Sequence, residues 1–278
     1  MRYLIVFLLF ISSQVTAQVP ALYNHVSNEV HLLHSKVLQQ DRQLYIQVPH
    51  LDSAAANTAL PVLYLLDGEN HFHLLAAYIE YLSHWQVIPP MIVVGIISVD
   101  RVKDLTPTNS VLNFSGKVDS SYKTSGGNEP FLTFVQQELM PYVEAKYKTS
   151  AVKILAGHSF GGITTLNCLL TRPSLFDAYI AISPSLWFAN KFVLHLTEKR
   201  LPQLALANQK LFYSVGNEDG SFRQDVVRFD RLIKKGRLKN LEHRYKEYPA
   251  ESHMSEPIPA YYDALRFIYK DWKPDSVK

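Results

Sequence analysis

Ser159 lies in the run Gly157-His158-Ser159-Phe160-Gly161, with Gly162 extending the stretch of small residues. The apolar segment 152–156 before it reads as a buried strand, and 163–170 after it reads as a helix. A serine on a tight strand-to-helix turn is forced into strained backbone geometry with its hydroxyl turned outward, and only small neighbours leave room for that turn. The chemistry that suits such a serine is attack on an acyl carbonyl. Amides at the start of the following helix then face the developing oxyanion.

A serine hydroxyl is a weak nucleophile at neutral pH and needs a base within hydrogen-bond reach. Of the 11 histidines, His253 is the one that follows a last predicted strand, 245–249, and precedes a C-terminal helix, 258–270. His71, His73 and His84 precede the serine, and His158 lies inside its turn, where it should point away from Ser159. His195 sits in an amphipathic stretch and His243 within a strand, which suits both to structural roles.

The base in turn needs a carboxylate to hold its tautomer and stabilise the imidazolium. That residue is expected after the strand 211–215, where the chain reads Gly216-Asn217-Glu218-Asp219-Gly220. Asp219 is the preferred acid, Glu218 the alternative, and Glu251 beside the histidine a further substitute. A Ser159–His253 dyad without an acid also stays open, because the acid mainly fixes orientation. An oxyanion hole needs two backbone amides. Phe160 offers one, and Gly68 or Glu69, in the loop after the strand 62–66, offers the second.

Positioning these residues takes a particular set of elements. The segment 44–48 alternates apolar and polar residues, as a strand with one buried face does. The segments 62–66, 91–97, 152–156, 179–182 and 211–215 are continuous apolar runs, as expected of strands covered on both faces. Helical patterns alternate with them, including Phe131, Phe134, Val135, Leu139 and Val143 behind a first-turn Pro130. The fold class is therefore α/β: a mostly parallel central sheet with antiparallel N-terminal strands and helices on both faces. Residues 100–127 are rich in Thr, Ser, Asn and Gly and read as a long surface excursion of the kind that often carries function.

Composition agrees with one packed domain over 18–278. The chain has 278 residues, 47% hydrophobic and 19% charged, which excludes a disordered or collagenous protein. Its 28 Lys and Arg against 25 Asp and Glu leave a net charge of +3, too small to point to nucleic acid. Residues 1–17 carry Arg2, a short apolar run and the small residues Val15 and Ala17, the marks of a secretory signal peptide. The apolar run is about half the ~20 residues a membrane span needs, so a periplasmic or secreted protein without stable membrane insertion is expected. Cys168, the single cysteine, allows no internal disulfide and reads as a buried thiol.

Several segments together resemble a known family. They are Tyr64-Leu65-Leu66-Asp67-Gly68, the run 157–162, and Ser183-Pro184-Ser185-Leu186-Trp187. Arg101 with Asp104-Leu105-Thr106-Pro107, Ser125-Gly126-Gly127 with Phe131-Leu132, and Glu251-Ser252-His253 extend the likeness over nearly the whole mature chain. The chain is similar to the esterase family within the α/β hydrolases, which includes esterase D and the enterochelin and salmochelin esterases. The resemblance implies the α/β-hydrolase fold, catalysis by Ser159 and His253, and a small-molecule ester substrate ranging from siderophore trilactones to aryl esters and thioesters. It also places Arg101, Tyr122 and Trp187 around the acyl pocket and calls for no metal or organic cofactor. Acyl transfer to an acceptor other than water uses the same residues, and a non-catalytic binding protein would keep the same fold. The sequence leaves the oligomeric state open.

Overall fold

The computed structural model describes residues 27–49, 51, 57–218 and 220–274. The expected signal peptide and Asp219 lie outside the described residues. Strands β1 (Ser27–Ser35) and β2 (Gln40–Val48) form an antiparallel hairpin. Then follow β3 (Leu60–Leu65), α1 (Gly68–His84), β4 (Ile92–Ile96) and the short α2 (Arg101–Leu105). α3 (Asn128–Phe134) runs through a π-helical turn, Val135–Leu139, into α4 (Met140–Lys146), so the helix expected around Phe131–Val143 is present with a bulge at its centre. The second half is a regular alternation: β5 (Thr149–His158), α5 (Phe160–Thr171), β6 (Ala178–Ile182), α6 (Phe188–Arg200), β7 (Gln209–Val215), α7 (Gly220–Gly236), β8 (Leu241–Glu247) and α8 (Pro257–Ile268).

The strands form one 8-stranded sheet in the order β1-β2-β4-β3-β5-β6-β7-β8. β2 pairs antiparallel with β1 and β4, and every pairing from β4 to β8 is parallel. This is the α/β-hydrolase fold. Alternation along each strand divides the core in two. Leu63 and Leu65 of β3 face α1 and α8, while Val62 and Tyr64 face the layer of α3 to α7. Parallel strands covered on both faces must be apolar throughout, which is why the five residues of β4 and of β6 are all buried. β1 lies at the sheet edge, and its outward Val30 and Leu32 are exposed.

α5 starts at the centre of the molecule and is buried from Phe160 to Leu170. Cys168 lies within it, fully buried, and burial pushes its thiol up to about 12. The excursion 100–127 is pinned down rather than loose. Asn109 donates to the Ser125 carbonyl at 3.0 Å, the Gly126 amide donates to Thr106 Oγ1 at 2.8 Å, and Leu112 bridges Val118.

Candidate active site

Ser159 is the single residue between β5 and α5. Its φ of 59° and ψ of −112° put a non-glycine residue in a strained region that persists only when the surroundings fix it. Three backbone bonds do so: its amide donates to Ile182 O at 3.0 Å, and its carbonyl accepts from Ile163 and Ser185, both at 3.1 Å. The flanking glycines are required by close approach. A Cβ on Gly157 would sit 2.4 Å from the Gly161 carbonyl oxygen, and one on Gly162 would sit 2.9 Å from Pro184 Cα. The hydroxyl thus held shares a hydrogen bond with Ser185 Oγ at 3.1 Å.

His253 sits in the turn between β8 and α8, which Ser252 and Ser255 close by bonding each other's amides. The turn is tied to the end of β7, since Asn217 N–H donates to Glu251 O at 2.6 Å and Tyr248 N–H to Val215 O at 2.9 Å. Across that junction His253 Nδ1 lies 2.9 Å from Glu218 Oε1. The carboxylate can only accept, so Nδ1 carries the proton and Nε2 presents its lone pair. Glu218 is one of the two adjacent acids in this turn; the other, Asp219, lies outside the described residues. Glu251 serves the turn through its backbone carbonyl.

His158 does not simply turn away from the site. Its buried ring packs 4.4 Å from His253 and 5.3 Å from His71. Burial first, then the neighbouring His253, His71 and Arg101, hold it well below the usual imidazole range, so it is a neutral platform against the His253 ring. Phe222 packs on His253 as well, with ring centroids 5.4 Å apart. His195 is exposed and His243 half-buried in β8, as their sequence settings imply.

The loop after β3 approaches the serine turn from the other side. Asp67 caps α1 in the left-handed conformation, φ 54°, and its carbonyl accepts from the amides of Asn70 and His71. The amides of Gly68 and Glu69, in the first turn, have no partners within the helix. Gly68 is buried so closely on β4 that a Cβ there would lie 2.8 Å from the Gly95 carbonyl carbon. Leu66 and Asp67 in turn press on Gly161. Phe160 thus lies in the serine turn that the Leu66–Asp67 segment, just before Gly68 and Glu69, borders.

Arg101 fastens these pieces together. Its guanidinium makes two bonds to buried Asp67, at 2.6 and 2.8 Å, reaches the His158 carbonyl at 3.5 Å and stands 5.2 Å over the Phe160 ring. Burial opposes its charge, yet the bonds to Asp67 outweigh this and raise its pKa. The side chain is thus largely engaged in holding the Asp67 loop.

Tyr122 and Trp187 meet around Phe160, at centroid distances of 6.0 Å from it and 6.4 Å from each other. Phe114 from the excursion adds to this wall, 5.5 Å from Trp187 and 6.2 Å from Phe222. Sequence reasoning missed Phe114 and Phe222, whose local patterns are those of any loop or helix aromatic. It also missed Ser183, Ser185 and Glu256. The two serines lie in a segment already singled out for resemblance, whereas nothing in the sequence around Glu256 marks it. Ser183 Oγ touches both Glu218 and Glu256, and all three side chains are buried. Among the described residues, no group of His, Cys, Asp and Glu is arranged to hold a metal ion. None of the described helices is long and apolar enough to cross a membrane.

A family model described as "Putative esterase" matches residues 35–261 of the chain. The chain is 31% identical over 206 residues to the siderophore enterobactin esterase of Emericella nidulans, a stretch covering 63% of this chain and 67% of that protein. With the ferri-bacillibactin esterase BesA of Bacillus subtilis it shares 28% identity over 182 residues, 61% of this chain and 62% of that one. The matches thus span about two thirds of the length of these curated relatives. Among solved structures, an IroE-like serine hydrolase from Shewanella oneidensis superposes with a TM-score of 0.85 at 33% identity, covering 90% of this chain and 82% of that one.

Proposed function

This chain belongs to the esterase family of α/β hydrolases, and we propose that it is a serine esterase acting through an acyl-enzyme on Ser159. The observation that carries the reading is the pairing of a strained Ser159 on the turn from β5 to α5 with a histidine whose Nδ1 is bonded to a carboxylate after β7. Ser159 Oγ attacks the ester carbonyl while His253 Nε2 takes its proton. Glu218 holds the imidazole in that tautomer and stabilises the positive charge that forms. The tetrahedral oxyanion is received by the amide of Phe160 together with that of Gly68 or Glu69. His253 returns the proton to the leaving alkoxide, and water then repeats the sequence in reverse to release the acid.

The substrate we infer is a siderophore-type ester or a small aryl-acyl ester. The wall of exposed Phe114 and half-buried Tyr122 and Trp187 beside Phe160 suits a planar acyl group, and the two curated relatives are named as a siderophore enterobactin esterase and a ferri-bacillibactin esterase. Residues 1–17 are proposed to direct export to the periplasm or medium, with the mature chain starting at Gln18. Two experiments test the reading. An ester panel graded by acyl group should favour aryl and siderophore-type acyl groups over simple alkyl ones, and a fluorophosphonate probe should label Ser159. A protein that neither turns over any ester nor takes the probe is not this enzyme. N-terminal sequencing of the exported protein decides the leader.

A further inference from the structure

Behind the Glu218–His253 pair stands a second carboxyl group. Glu256, at the start of α8, is completely buried, and one of its oxygens contacts Ser183 Oγ, which also contacts Glu218 Oε1. Ser183 is itself fully buried with a φ of 38°, so its backbone is held in an unfavourable conformation at the position that sets its hydroxyl between the two acids. The Gly216 amide points at the same hydroxyl oxygen from 3.4 Å.

The protons in this row can be counted. Glu256 Oε2, Ser183 Oγ and Glu218 Oε1 form two contacts, and Ser183 supplies one proton. If both carboxyls were ionised, one contact would set lone pair against lone pair, and two charges would be buried side by side. Glu218 already accepts from His253 Nδ1, so the second proton cannot be on that oxygen.

Given the esterase reading above, we propose that Glu256 is a protonated positioning residue. Its O–H donates to Ser183, Ser183 donates to Glu218, and the row fixes the carboxylate that orients His253. The groups facing Glu256 agree with a neutral acid. Glu218, itself bonded to His253, approaches from the β7 end, and Tyr248, its hydroxyl engaged by Asp263 at 2.6 Å, lies at the end of β8. Burial first, opposed by the Ser183 contact and reinforced by the neighbouring Glu218, raises the Glu256 carboxyl to about 7. It therefore sheds its proton as pH rises through about 7. Once ionised it competes with Glu218 for the single Ser183 proton and repels it.

Glu256→Gln keeps a donor in the same place and cannot ionise. Wild-type kcat/KM should fall about tenfold between about pH 6 and about pH 9, as the row is broken, and the Gln variant should lose that alkaline fall while its acid limb stays in place. Ser183→Ala should lower kcat about tenfold with little change in KM, because it removes the link and leaves substrate contacts alone. An infrared pH titration reads the proton without turnover: wild type and Ser183→Ala should show a protonated-carboxyl band that titrates, and Glu256→Gln should lack it. A band that survives in Glu256→Gln, or its absence from wild type, overturns the proposal. So does an acid limb displaced to lower pH in Glu256→Gln, which would mean that wild-type Glu256 is charged. Failure of the esterase reading is seen separately, as loss of fluorophosphonate labelling at Ser159.

Discussion

Glu218 Oε1 and His253 Nδ1 lie 2.9 Å apart, across the junction between the end of β7 and the turn that precedes α8. The side chain of Glu218 is 7% exposed and that of His253 30%, so the pair is shielded on the acid's side and open on the base's. That asymmetry suits an orienting carboxylate and a base that must meet substrate.

Glu218→Gln should therefore lower kcat on the order of a hundredfold or more, because the amide no longer stabilises the imidazolium. Asp219→Asn should cost less than about tenfold. Steady-state rates of both variants on one activated ester make the comparison. Reversed losses would move the role to Asp219, and two small losses would leave a Ser159–His253 dyad.

Ser159→Ala and His253→Ala should each remove several orders of magnitude from kcat without altering the fold. The double variant should be no slower than the worse single one, since the two side chains act as one unit. Losses that multiply would show that they act independently.

Arg101 and Asp67 should behave as a coupled structural pair. Arg101→Leu strands a carboxylate that is 1% exposed, and breaking a buried pair from one side costs about 3 kcal/mol. Thermal unfolding should show the single variant well below wild type and Asp67→Asn/Arg101→Leu partly restored. If the double variant is as unstable as the sum of the two single ones, the pair is not coupled.

Glu256 should make stability depend on pH in a defined direction. Its carboxyl is raised from 4.5 to about 7, so the contribution is fully present below about pH 4.5 and is lost as pH rises through about 7. Relative to Glu256→Gln, wild type should lose on the order of 3 kcal/mol across that window. Urea unfolding at about pH 5 and about pH 8 measures it, and an unchanged difference between the two proteins would refute it.

Gly157→Ala should be among the most damaging single methyl additions, since the new Cβ meets the Gly161 backbone at 2.4 Å and that backbone begins α5. A loss of about 2 kcal/mol or more is expected in thermal unfolding, together with loss of probe labelling at Ser159. Normal stability and labelling would mean the turn has slack that its geometry does not suggest.

The amino-acid sequence by itself determined the layers and the chemistry. Short continuous apolar runs such as 91–97, behind Pro89-Pro90, read as strands covered on both faces, and the glycines around Ser159 leave few other uses for a serine there. Both are local properties, legible from composition and spacing. Tertiary structure decided the partners. Glu218 and His253 are 35 positions apart, and the turn alone offers adjacent acids of the same charge. Which one reaches the imidazole depends on how the loop after β7 docks on the turn before α8. Arg101, placed by resemblance around the acyl pocket, is bonded to Asp67, 34 positions away, because only the packed sheet brings the two loops together. Glu256 carried no local signal at all. Its role arises from complete burial against Ser183, and burial is set by the whole fold rather than by neighbours in the chain.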